Sequence, residues 1–301
     1  MTRQTKTFLI ERFREMGIRP ATRHGQNFLI DLNLVGLIVE AAELSADDVV
    51  LEVGTGTGSL TAMMAPQVAA VVTVEIDAHL FELASEQLFE FQNVTMLRMD
   101  VLRNKNTFDE RLMDAVGEQL NAAPGRRLKL VANLPFNIAT PVISNLLLAR
   151  HVPHSMTVTI QKELADRITA EPSTKDYSAL SVWIQSQSTA EIVRLLPPSV
   201  FWPAPKVTSA ILRIVVDRER RVAIADLAYF HQITKALFLH RRKFLRANML
   251  AAMKRHLDKE QVDAVFAEMG FAADTRTEQL DVPTLIKLAD KIRAAAPDWK
   301  L

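Results

Sequence analysis

Residues 49–61 read VVLEVGTGTGSLT. A short run of aliphatic residues enters three alternating glycines, Gly54, Gly56 and Gly58, and a helix-compatible stretch follows from Ser59. This reads as a buried strand, a tight turn and the start of a helix. Glycine lets the backbone turn sharply and approach a ligand, with the helix N-terminus behind it. A dinucleotide fingerprint would need glycine at position 59, where this chain has Ser. The spacing therefore favours S-adenosylmethionine over NAD, although a Gly-rich turn taken alone serves both.

The pattern continues outward from that turn. Residues 33–43 carry apolar positions at helical spacing, and strand-like runs recur at 68–77, 93–100, 128–135 and 156–163. Helical stretches at 59–68 and 78–91 separate the first of them. Such alternation predicts a mostly parallel sheet covered on both faces. Two further strands are expected at 189–196 and 207–216, around the Pro-rich PPSVFWPAPK. They lie too close together for another βαβ unit and are expected to be antiparallel. Beyond DRERR at 217–221 the pattern turns helical, with helices expected near 226–239, 243–256, 259–269 and 282–295. The expected fold is α/β and Rossmann-like, with a seven-stranded sheet over 1–217 and a small all-α domain over 218–301.

The strand ends carry the chemistry. Glu75 closes the second strand, 21 residues after Gly54. A carboxylate there can accept both ribose hydroxyls of a nucleoside cofactor. Asp77 is expected to cap the next helix. Asp100 ends the third strand, on the side where doubly wound sheets bind ligands, and can accept from an adenine amine. Asn133-Leu134-Pro135-Phe136 ends the fourth. An amine conjugated to an aromatic ring is a poor nucleophile. An Asn side-chain oxygen and a backbone carbonyl can hold its two hydrogens and turn its lone pair toward a methyl donor. The aromatic ring can stack on the base. No strong general base is needed, because a sulfonium supplies the driving force.

These segments together resemble the KsgA-type small-subunit ribosomal RNA adenine dimethyltransferases over about residues 23–290. The matching stretches include HGQNFL (24–29), EVGTGTGSLT (52–61), VEID (74–77), NLPFNIATP (133–141), PPSVFWPAPKVTSAILR (197–213) and FLHRRKFLRANM (238–249). The resemblance implies a class I S-adenosylmethionine-dependent methyltransferase fold and transfer of two methyls to each of two adjacent adenosines near the 3′ end of small-subunit rRNA. It implies that Gln26, Asn27 and Leu29 close over the cofactor. Gly54 and Gly56 would face its methionine portion, Glu75 its ribose and Asp100 its adenine, with Asn133 beside them. Asn133 and Leu134 would hold the target amine, with Phe136 and Phe201 stacking on either face of the flipped base. Arg241, Arg242, Lys243 and Arg246 would contact phosphates. Family members usually carry Tyr where this chain has Phe136. The ring survives that change and a hydroxyl is lost, which bears on rate or substrate preference rather than reaction type.

Composition agrees with a globular enzyme. The 301 residues are 49% apolar and 24% charged. With no cysteine, a disulfide, a thiolate metal site and a cysteine nucleophile are all excluded. The seven histidines show no ligand spacing, so no metal is expected. Net charge is only +1, but residues 218–255 hold ten Lys/Arg against two acids, and residues 1–23 hold six against two. Basic ends on a neutral chain suit a polyanion. No apolar stretch reaches the ~20 residues of a membrane span, and the first 17 residues contain Glu11 and Glu15 without a cleavage site. The expectation is a cytoplasmic monomer acting on rRNA within the pre-small ribosomal subunit. Two alternatives stand beside it: a large-subunit rRNA adenine methyltransferase, and a non-catalytic RNA-binding or transcription factor that keeps the fold.

Overall fold

Valine, leucine and isoleucine crowd the strands because both faces of the sheet are covered. In the computed structural model, which describes residues 6–15, 17, 26–105 and 107–299, seven strands form the main sheet. They are β1 (Asp48–Val53), β2 (Ala70–Glu75), β3 (Val94–Arg98), β4 (Arg127–Asn133), β5 (Ser155–Gln161), β6 (Ser188–Leu196) and β7 (Ser209–Val216). Their order is β3-β2-β1-β4-β5-β7-β6. β1 runs parallel to β2 and β4, β2 to β3, and β4 to β5, while β7 is antiparallel to β5. Every residue of β1 and β2 is buried. The strand order reverses between β1 and β4, and there the crevice opens at the strand C-termini.

Contacts divide the chain into two units. The first takes residues up to Ala165 together with Glu191–Val215, and the second takes Asp166–Ala190 together with Val216 onward. The expected boundary at 217 leaves residues 166–190 with the sheet, whereas the contacts group them with the C-terminal helices. The reason is local packing. The Tyr177 hydroxyl donates to the Leu280 carbonyl at 3.0 Å, and Trp183 stacks on His231 with centroids 4.3 Å apart. Both aromatic side chains are fully buried.

In the first unit, α1 (Lys6–Glu15), α2 (Leu32–Ala41), α3 (Ser59–Met64), α4 (Ala78–Leu88), α5 (Glu110–Asn121) and α6 (Ala139–Leu146) accompany the sheet. α7 (Lys162–Thr169) follows β5. Aspartates start several helices. Asp77 accepts from the His79 and Leu80 amides at 3.0 and 3.1 Å, the capping role expected from its position. A two-residue ladder pairs Phe28 with Trp202 and Leu29 with Phe201. The second unit holds α8 (Ala179–Gln185), α9 (Arg218–Val222), α10 (Leu227–Leu237), α11 (Leu245–Met253), α12 (Lys259–Glu268) and α13 (Val282–Ala295). In α13 the buried Leu285, Leu288, Ala289 and Ile292 recur at helical spacing, and Asp281 caps the Thr284 amide at 2.8 Å. No helix among the described residues is long and apolar enough to cross a membrane.

The end of the sheet opposite the crevice is tied by a buried ion pair. Lys129 Nζ lies 3.0 Å from Asp48 Oδ2 and also donates to the Ala42 carbonyl at 3.0 Å. Burial pushes the Asp48 carboxyl up, but Lys129 and Ser45 outweigh it and hold the group below its ordinary range. Lys129→Ala would leave the buried Asp48 with only the half-exposed Arg127 guanidinium, 3.1 Å from Oδ1, as a counter-charge. The expected cost is about 3–5 kcal/mol, read from urea unfolding, with a smaller loss in the Asp48→Asn/Lys129→Met double variant.

Candidate active site

Three strand ends and a roof enclose one cavity. At the end of β1, the Gly54 and Thr55 amides donate to the Val74 carbonyl at 2.9 and 3.1 Å, which ties the turn to β2. Gly54 has φ +84° and Gly56 φ +57°, conformations that side chains rarely adopt. A Cβ at Gly54 would meet the Pro135 ring at 3.5 Å, and one at Gly56 would meet the Phe28 ring at 3.4 Å. The turn is therefore glycine by torsion, while both rings lie at ordinary contact distance from where a Cβ would stand.

Glu75, at the end of β2, is buried and lines the cavity. Its two carboxylate oxygens accept from the Gly56 amide at 2.9 Å and the Asp77 amide at 3.0 Å. Burial raises its pKa, these amides oppose the rise, and the Asp77 charge adds to it. Asp100 lies beyond the end of β3, exposed at the cavity edge, where Oδ1 accepts from the Leu102 amide at 3.0 Å. Beyond β4, Asn133, Leu134, Pro135 and Phe136 line the same cavity. The Ile138 amide donates to the Pro135 carbonyl at 3.1 Å and closes that turn. Gln26, Asn27 and Leu29 form the roof. The two pieces are joined directly, because Asn133 Nδ2 donates to the Asn27 carbonyl at 2.8 Å. His24 and Gly25 of the HGQNFL segment lie outside the described residues.

Two expectations are corrected. Phe201 does not line this cavity. Its ring is 2% exposed in a core cluster with Val35, Ile38 and Leu60. Alternation along the short ladder turns Phe201 into the core and leaves Trp202 to pack against Phe13 and Phe28. Phe201 is thus an anchor of the roof. In the helical unit, Arg246 is half-buried and committed to Asp263 through two bonds of 2.6 and 2.8 Å, a link from α11 to α12. Arg241, Arg242 and Lys243 are exposed before α11, and Arg241 Nη2 donates to the Thr174 carbonyl at 2.9 Å.

The family model for ribosomal RNA adenine dimethylase matches residues 19–292. The chain belongs to this family. Among its relatives, "Ribosomal RNA small subunit methyltransferase A" of Streptococcus gordonii is 37% identical over 90% of this chain and 91% of that protein. The protein of the same name from Caldanaerobacter subterraneus is 38% identical, covering 89% of this chain and 95% of its own. A dimethyladenosine transferase from Plasmodium falciparum has the same fold, with a TM-score of 0.72 at 22% identity over 88% of this chain and 97% of its own. The 23S rRNA methyltransferase ErmE shares it at a TM-score of 0.64 and 24% identity, over 88% and 99%. As a ribosomal RNA adenine dimethylase, the chain is an S-adenosylmethionine-dependent methyltransferase.

Several cavity residues were not singled out from the sequence, among them Phe28, Ile76 and Val101. Apolar residues at strand ends carry no signal that separates them from core. Glu52 is the other. It is 1% exposed beneath the turn, and its Oε2 accepts from the hydroxyls of Thr61 and, at 2.8 Å, Thr73. Burial pushes its pKa up to about 8; the two hydroxyls oppose this and the nearby Glu75 charge adds to it. The carboxyl is therefore mostly protonated at neutral pH in the folded dimethylase and ionises near 4.5 once exposed. Its contribution to stability is present in full below that value and is lost as pH rises through about 8. Glu52→Gln, measured by urea unfolding between pH 5 and 9, is expected to flatten this decline.

Proposed function

We propose that this dimethylase transfers methyls from S-adenosylmethionine to the exocyclic amines of two adjacent adenosines near the 3′ end of small-subunit rRNA, acting as a cytoplasmic monomer on the pre-small ribosomal subunit. The observation that carries the reading is the shared cavity. A glycine turn, two strand-end carboxylates and the Asn133–Phe136 turn meet in one space. The small-subunit specificity is supported by the names of the curated relatives.

The residues suit the cofactor. The glycine turn presents bare backbone, as a close-fitting methionine portion requires. Glu75 already accepts from the Gly56, Asp77 and Ile76 amides and keeps acceptor capacity toward the cavity for a ribose hydroxyl. Asp100 sits one strand further along, where an adenine amine would need an acceptor. The bound cofactor supplies an electrophilic methyl on a sulfonium.

The remaining work falls to the turn after β4. Because Asn133 Nδ2 is held by the Asn27 carbonyl, Oδ1 is the end of the amide left to accept. Oδ1 and the Leu134 carbonyl hold the two amine hydrogens, which orients the lone pair and removes rotational freedom before transfer. Phe136, half-buried at the cavity, offers its face to the extruded base. Stacking returns about 1–3 kcal/mol per base against a flipping cost of a few kcal/mol. With Phe201 inside the core, Phe136 is the one of the two expected rings that carries the stack. Its missing hydroxyl takes nothing from the π surface. In the helical unit, Arg241, Arg242 and Lys243 dock on phosphates, which fixes register without reading sequence.

Labelled cofactor and small subunits lacking the modification test the assignment. The expected product is dimethyladenosine at two neighbouring positions; label confined to large-subunit rRNA would overturn it. Asn133→Ala is expected to lower kcat by about 100-fold, while calorimetry shows cofactor affinity nearly unchanged. Neutralising Arg241, Arg242 and Lys243 together is expected to reduce the slope of log Kd against log salt by about 2–3; an unchanged slope would place docking elsewhere.

A further inference from the structure

We infer that Phe13 is a positioning residue for the cofactor site, acting from α1 through Phe28. This rests on the cavity being the cofactor site. Phe13 does not line the cavity, yet it is only 1% exposed. Its ring meets Phe28 edge-on, with centroids 5.1 Å apart and planes at 88°, and meets Trp202 at 5.3 Å and 65°. Leu80 and Leu83 of α4, with Ile30, complete this small cluster.

The roof needs such a clamp. It is held in register by a ladder of two residues per strand, too short to be stable unaided. One face of the ladder is fixed, because Leu29 and Phe201 pack into the core beneath. The other face consists of Phe28 and Trp202, and Phe13 touches both rings. The Phe28 ring in turn is the surface a Cβ at Gly56 would meet at 3.4 Å. One residue upstream, the Asn27 carbonyl receives the Asn133 amide. The height of the roof over the glycine turn, and the orientation of Asn133, are thus both set by segment 27–29. Phe13 presses that segment down from outside. The neighbouring Arg12–Glu86 pair, at 2.7 Å between exposed side chains, contributes little by comparison.

The test is a double-variant cycle in the full chain, titrated with S-adenosylhomocysteine by calorimetry, with thermal unfolding of the ligand-free proteins alongside. Phe13→Ala is expected to weaken binding about tenfold, and Phe13→Leu less. Because Phe13→Ala removes a buried ring, ligand-free Tm is expected to fall by several degrees, and binding is titrated well below that range. In the Phe28→Ala background, Phe13→Ala should have no further effect. Unchanged affinity in Phe13→Ala, or losses that simply add to those of Phe28→Ala, would overturn the inference. If Phe13→Ala does not fold, Phe13→Leu in the same cycle decides. Failure of the unaltered chain to bind the probe is a different result and would overturn the cofactor assignment itself.

Discussion

One hydrogen bond joins the two halves of the chemistry. Asn133 Nδ2 donates to the Asn27 carbonyl across 106 residues of sequence. The donor sits on the turn that ends β4, and the acceptor belongs to the roof over the glycine turn. An amide can present either end to a ligand, and a neutral Asn at a strand end has no intrinsic preference. Here its donor end is occupied, so the acceptor end is defined. A group that must receive hydrogens from an amine is made ready before the amine arrives. The pre-organisation depends on where the roof lies, and the roof depends on the core beneath it and the aromatic cluster above.

The sheet provides the rigid frame for that bond. Parallel strands buried on both faces place their C-terminal ends along one edge, and the reversal of order between β1 and β4 opens a gap there. β1 supplies the turn, β2 the Glu75 carboxylate, β3 leads to Asp100 and β4 ends at Asn133. Glu52 shows what such a frame tolerates. A carboxyl fully buried beneath the turn persists because two threonine hydroxyls satisfy it and because it keeps its proton. Ionised, it would face the nearby Glu75 charge.

Most of this frame was legible in the sequence because it is written in periodicity and in residues with few other uses. Uninterrupted Val/Leu runs mark buried parallel strands, alternating glycines mark a turn that nothing else can make, and Asp77 before an apolar stretch marks a cap. The strand-end positions at 75, 100 and 133 follow from the topology once the strands are placed. What stayed hidden depends on partners distant in sequence. Phe201 belongs to a segment that resembles a base-stacking loop, but a two-residue ladder turns its ring inward. Arg246 stands in a basic run, yet Asp263, one helix later, claims its guanidinium. The protonation of Glu52 reflects total enclosure, which no local pattern encodes.

The second unit is assembled from two separate stretches of chain, because residues 166–190 leave the sheet region and return at 191 to complete it. Consequently the helical unit cannot be exchanged between relatives as a contiguous cassette. A cut at 217 would separate Tyr177 and Trp183 from the helices that bury them, stranding two large aromatic surfaces in water. Any recombination that respects this architecture has to carry three junctions, and natural insertions are better tolerated in the loops outside them.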